Sequence, residues 1–122
     1  MTDFNLVVLY VNDSGASSVF YKELLDRPIV QSSPKFAMLP LGKEAMLGLW
    51  QREAVEPHAG KEAGGAEVVF NVANADAVHA THEAWKARGL KIAQAPTAMN
   101  FGHTFVALDP DGHRLRVLAP AA

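Results

Sequence analysis

The chain has 122 residues, 49% of them apolar and 20% charged, a balance that supports one packed domain and excludes intrinsic disorder. Eleven basic against thirteen acidic side chains leave a net charge of −2, so nucleic acid is not an expected partner, for want of cations to neutralise phosphates. The absence of cysteine excludes disulfides, thiolate metal sites and cysteine nucleophiles. With no 18-residue apolar run and no charged leader pattern, a cytoplasmic protein without membrane contact is expected.

Leu6–Val11 is short, β-branched and closed by Asn12-Asp13-Ser14, which predicts a strand. Asp13 or Ser14 then caps a helix over about 15–25, with Ala16, Phe20 and Leu24 on its apolar stripe and Pro28 ending it. Three short extended pieces follow at about 29–32, 36–41 and 45–50, punctuated by Pro34 and Gly42. Residues 51–65 lose periodicity and gather glycine, proline and charge, the composition of a surface linker. A strand is then predicted over 66–72. Asn74 or Asp76 caps a second helix over about 75–88, closed by Gly89, with Val78, His82 and Trp85 as its buried stripe. Strands at about 91–95, 104–108 and 114–118 complete the chain, the last two joined by a tight turn at Asp109-Pro110-Asp111-Gly112.

The order strand, helix, three strands is thus written twice. Leu6–Val11 aligns with residues 67–72 at an offset of 61, and Ser33-Pro34 with Ala95-Pro96 at an offset of 62. One half, at roughly 50 residues, is too small to bury a sheet face alone, so two halves or two chains must share a core.

Two passages resemble the vicinal oxygen chelate superfamily, the glyoxalase/bleomycin resistance/dioxygenase group. One is Tyr10-Val11-Asn12-Asp13 followed by Ala16-Ser17 and Phe20-Tyr21. The other is Phe101-Gly102-His103-Thr104-Phe105 leading to Asp109-Pro110-Asp111-Gly112-His113 and Arg116-Val117. The resemblance implies an α+β fold in a single domain spanning 1–122: two βαβββ modules, about 4–50 and 66–118, whose curled mixed sheets form a cleft, usually in a homodimer. Within the superfamily the strand end Met46-Leu47-Gly48-Leu49-Trp50 and the Phe-Gly-x-Thr-Phe run resemble the antibiotic-binding branch of phenazine, mitomycin and bleomycin resistance proteins.

The enzymes of this superfamily hold a divalent metal with one side chain from each module's first strand and one from its last, normally His, Gln or Glu. The resemblance places these positions here at Leu6, Gly48, Glu67 and Arg116. Only Glu67 can bind a cation; Leu and Gly lack side-chain donors and Arg repels a metal. No cofactor and no catalytic residue are therefore expected. A divalent-metal glyoxalase- or dioxygenase-like lyase or oxidoreductase is the alternative, and a metal-free enzyme using His103 or Glu67 as general base is a third reading.

Strand alternation divides the side chains into two faces. Val7, Leu9, Val11, Leu47, Leu49, Val68, Phe70, Val72, Leu115 and Val117 belong to a helix-covered core. The opposite face carries Leu6, Val8, Tyr10, Met46, Gly48, Trp50, Glu67, Val69, Asn71, Arg114, Arg116 and Leu118, the mixture of apolar walls and a few polar groups that suits a drug-sized molecule. Trp50 offers a flat stacking surface. Phe36, Met46, Tyr10, Met99 and Phe101 are expected as further walls, and His103 as a donor at the mouth. Glu67 and Arg116 are expected either to touch ligand or to form a salt bridge joining the modules. His79 and His82 should lie on the outer helix, one solvated and one packed. The expected function is metal-free binding and sequestration of a planar aromatic, antibiotic-like molecule by a homodimer.

Overall fold

The computed structural model describes residues 4–61 and 63–121. The chain divides into two compact units, Met1–Glu62 and Ala63–Ala122. The first contains β1 (Leu6–Val11), α1 (Ser14–Leu25), β2 (Gln31–Ser33), β3 (Phe36–Pro40) and β4 (Met46–Gln51), then one 3₁₀ turn at Arg52–Ala54. Its sheet has the order β1-β4-β3-β2, with β1 parallel to β4 and the other pairs antiparallel. The second contains β5 (Glu67–Asn71), α2 (Ala75–Ala87), β6 (Lys91–Met99), β7 (Gly102–Leu108) and β8 (Arg114–Pro120). Its sheet has the order β5-β8-β7-β6, with β5 parallel to β8. Each unit is one βαβββ module with the same pairing scheme. Among the described residues no helix is long and apolar enough to cross a membrane.

Equivalent caps start the two helices. Asp13 is extended and its carboxylate accepts the Ala16 N–H at 3.0 Å. Asn74 does the same for the Ala77 N–H at 2.9 Å. Each satisfies a donor that has no intrahelical acceptor. The α2 stripe lies as its period requires, with Val78 and Trp85 buried. Trp85 meets Phe70 and Phe105 edge-on, and His82 meets Phe105 in the same way.

The buried face of α1 differs from the expected one. The helix turns Ser14, Ser17, Ser18 and Tyr21 to the protein interior, leaves Ala16 exposed and half-buries Phe20 and Leu24. Small hydroxyl side chains let the helix lie close to β3 and β4, and their polar groups are satisfied nearby. The Ser18 hydroxyl donates to the Gly15 carbonyl at 2.7 Å, and the Ser14 N–H donates to Gln51 Oε1 at 2.8 Å. Apolar periodicity ranks residues by hydrophobicity, whereas burial here follows fit. The helix also ends before Pro28: Asp26 is left-handed, with φ 52°, and its N–H donates to the Lys22 carbonyl.

The expected alternation holds along β3, β5 and β8, whereas Val7, Leu9, Val68, Phe70 and Val72, expected in the core, are only half-buried and β7 buries Thr104 to Ala107 in succession. Val11, Leu39, Leu47, Leu49, Phe105, Leu115 and Val117 are buried, and they form the helix-covered core of their own units. The stretch expected as a surface linker opens with structure. Gln51 belongs to β4, Val55 is buried, and the Arg52 guanidinium donates to the carbonyls of Tyr10 and Lys61. β6 extends to Met99 through Pro96, beyond the expected end at residue 95. It is an edge strand, where a missing N–H need cost no ladder bond, and it carries register shifts between Ile92 and Gln94 and between Gln94 and Thr97.

Candidate functional site

On the first unit, the face away from α1 is built in cross-strand rows. Tyr10, Trp50 and Phe36 are in register across β1, β4 and β3. Val8, Gly48 and Met38 form the next row, and Leu6, Met46 and Pro40 the third. Tyr10 and Trp50 meet edge-on, with ring centroids 6.4 Å apart. Trp50, Phe36 and Met46 are half-buried and Tyr10 is exposed. Parallel pairing of β1 with β4 and antiparallel pairing with β3 bring these expected site residues into one neighbourhood. The Phe36 ring leans over Gly48, so that a Cβ there would stand 2.9 Å from Phe36 Cζ and 3.3 Å from Val8 Cγ2. Glycine at 48 is thus a packing requirement of the aromatic row. We expect Gly48→Ala to cost roughly 1–2 kcal/mol in a urea titration, at the lower end for overpacking because the ring edge can swing away. Combining it with Phe36→Leu should recover most of the loss. A neutral Gly48→Ala would show that the ring does not cover this position.

On the second unit, the corresponding face centres on Arg116. Its Nε donates to Glu67 Oε1 at 2.8 Å. Its Nη1 donates to Gln94 Oε1 at 3.3 Å and to Thr104 Oγ1 at 3.2 Å. The guanidinium carbon lies 5.7 Å from the Phe101 ring centroid, in cation–π range. Gln94 Nε2 reaches Met99 Sδ at 3.6 Å, so Met99 and Phe101 join this cluster, both partly exposed. Glu67 and Arg116 do not join the modules as one expectation had it. They sit on neighbouring strands of one sheet. The register sets Glu67 level with Arg114, and Arg116 reaches back diagonally.

Gln94 and Thr104 escaped the sequence reading. Alternation with Phe105 places Thr104 on this face and was a usable signal. The face of Gln94 depends on an irregularity in β6 that has no mark in the sequence.

His103 takes the opposite side from the one expected. It shares the helix-facing side of β7 with Phe105, and its ring centroid lies 5.4 Å from that of His79 on α2. Alternation from the buried Thr104 settles this, since Thr104 contacts Arg116 on the other face. A cavity of about 610 Å³ opens beside the start of β5, lined by small residues together with Leu108, Glu67 and Arg114. No aromatic side chain lines it, and Glu67 is the one candidate residue that reaches it.

The four positions implied for a metal can be tested on their chemistry. Gly48 and Arg116 are equivalent, each in register two residues along from Leu6 or Glu67. Leu6 has no donor, and Gly48 is overlaid by an aromatic ring. Glu67 is already paired, and the fourth group is the guanidinium that pairs it. A permanent cation where a ligand would stand repels a divalent ion. These residues do not fit the family's metal.

Comparison with known proteins agrees with this architecture. Residues 3–117 match the model of the Glyoxalase/Bleomycin resistance protein/Dioxygenase superfamily. The chain is 27% identical over 116 residues to the phenazine antibiotic resistance protein EhpR of Enterobacter agglomerans, covering 93% of this chain and 88% of that protein. The solution NMR structure of protein ATC0852 from Agrobacterium tumefaciens is similar with a TM-score of 0.92 and 47% identity, over 100% of both chains. A glyoxalase-related enzyme from Fulvimarina pelagi gives a TM-score of 0.84 at 22% identity, over 98% of this chain and 88% of that one, a likeness of fold alone. The matched span takes in the four strands and the helix of each unit but for the last residues of β8, and the chain belongs to the Glyoxalase/Bleomycin resistance protein/Dioxygenase superfamily.

Proposed function

We propose that this protein binds and sequesters a planar aromatic, antibiotic-like small molecule, without metal and without turnover, and that it does so as a homodimer. The observation that carries the reading is the row Tyr10, Trp50 and Phe36, with Phe36 occupying the space over Gly48 where the family's enzymes carry a metal ligand. Flat rings at strand spacing present a stacking surface, and Met46 beside them adapts to irregular shape. The second unit offers Phe101 and Met99 beside Arg116, whose Nη2 has no protein hydrogen bond among the described residues. Glu67 offsets the charge of Arg116, so this donor suits a neutral acceptor such as a carbonyl or a ring nitrogen. His103, held against α2, has no part in the binding surface. The likeness to a phenazine resistance protein supports phenazine-type heteroaromatics as the ligand class. The alternative, a divalent-metal lyase or oxidoreductase, asks for donors that Leu6, Gly48 and Arg116 do not supply.

The test is a thermal-shift screen of phenazines and related planar heteroaromatics, since a ligand specific to the native state raises the melting temperature. For any compound that does so, Trp50→Ala is expected to weaken binding roughly 30-fold, about 2 kcal/mol of lost stacking and burial. Unchanged affinity in Trp50→Ala would place the ligand elsewhere, and failure of every compound in the screen would reject the ligand class.

A further inference from the structure

We propose that His79 and His103 form a two-imidazole site for a late divalent transition ion, such as Ni(II) or Cu(II), on the helix-covered side of the second sheet. This site is separate from the four positions where the family's metal would sit, and it does not depend on the ligand proposed above. The two ring centroids lie 5.4 Å apart with the planes inclined by 49°. An ion bound to imidazole stands roughly 2.0–2.1 Å from the nitrogen and so about 3.2 Å from the ring centroid, which sets two rings about 4.5 Å apart at the right angle that Ni(II) and Cu(II) favour and about 5.2 Å apart at a tetrahedral angle. The observed 5.4 Å is about 1 Å wider than the right-angled pair, a gap that a swing of the exposed His79 side chain closes.

The spacing is held by the packing of α2 on β7. One helical turn further along α2, His82 lies against Phe105 with centroids 5.3 Å apart, and Trp85 lies against the same ring at 5.6 Å. Phe105 is fully buried, so it pins the helix to the strand and sets His79 opposite His103. His79 is exposed and His103 half-buried, which leaves the ion open to water for its remaining positions. Neither ring has a hydrogen bond among the described residues, so no partner has to be displaced. His82 is not a third ligand, because its Nδ1 faces Glu83 at 3.3 Å and its ring packs on Phe105. Among the described residues no set of three or more His, Cys, Asp or Glu side chains gathers for a metal. The site is a two-donor one, reversible and selective for ions that favour nitrogen, with Cu(II) held more tightly than Ni(II).

The experiment is a calorimetric titration of tag-free protein with NiCl₂, with the wild type compared with His79→Ala, His103→Gln and Glu67→Gln. One equivalent is expected to bind the wild type and Glu67→Gln equally. Each histidine variant should lose at least about tenfold in affinity. His79 is exposed, so its variant keeps the fold and reports on the site even if His103→Gln is destabilised. Full Ni(II) affinity in His79→Ala overturns the proposal, as does a wild type that binds no Ni(II). Loss of binding in Glu67→Gln alone would place the ion at the family's position and overturn it too.

Discussion

Gly102→Ala lowers stability by about 4 kcal/mol and the melting temperature by about 15 °C, the largest single effect expected in this chain. Two costs add. Gly102 has φ 146°, a conformation that residues with a Cβ rarely adopt. A Cβ built there would stand 2.2 Å from the Ala119 carbonyl oxygen and 3.0 Å from the Ala121 nitrogen. Both are backbone atoms of the β8 end, where Gly102 is in register with Pro120 and the Ala121 N–H donates to the Phe101 carbonyl. Backbone in a paired strand cannot step aside as the Phe36 ring can from Gly48, so the clash must break the β7–β8 ladder at its edge. Phe101 is the next residue, so the same variant should disturb the ring under Arg116. Gly42→Ala is the control: nothing lies within 4 Å of its Cβ, and a change within about 0.5 kcal/mol is expected. If chemical denaturation shows Gly102→Ala as stable as the control, the close approach to Ala119 is wrong.

Arg116→Leu is expected to cost about 2–3 kcal/mol, measured by urea titration. The arginine side chain is 15% exposed and that of Glu67 is 32% exposed, so the pair lies between the surface and the interior. Leucine replaces the buried stem but leaves the Glu67 carboxylate without its counter-charge and Gln94 Oε1 without its donor. Thr104 suffers less, because its hydroxyl still donates to the Val117 carbonyl at 2.8 Å. Partial exposure keeps the cost below that of breaking a fully buried pair. In a double-mutant cycle, Arg116→Leu with Glu67→Gln should show a coupling of about 1–2 kcal/mol. Purely additive losses would mean that the two side chains act independently.

Much of the fold was legible because it rests on local rules. Alternation along Leu6–Val11 and Glu67–Asn71, the caps at Asp13 and Asn74, and the Asp109-Pro110-Asp111-Gly112 turn are each set by residues within a few positions of one another. The repeat of that pattern made two βαβββ modules the natural outcome. The side of each sheet away from its helix was legible: Tyr10 and Trp50 in the first unit, and Glu67 and Arg116 in the second, follow from a two-residue period alone. Where hydrophobicity had to stand in for fit, the reading failed. The serine-lined side of α1 is buried because small groups allow close packing, and no apolar count ranks serine above Phe20.

The sequence by itself determined which side chains share a side of each strand, where the helices begin, and that three of the four positions implied for the family's metal, Leu6, Gly48 and Arg116, carry no donor for a cation. Only the tertiary structure decided which of those side chains are neighbours: Phe36 over Gly48, Gln94 and Thr104 on Arg116, Glu67 paired within its own sheet, and His103 beside His79. The reason is physical. A side chain's facing follows from covalent geometry over two or three residues. Its partner follows from strand order and register, which bring together positions dozens of residues apart and are set by the packing of the whole unit.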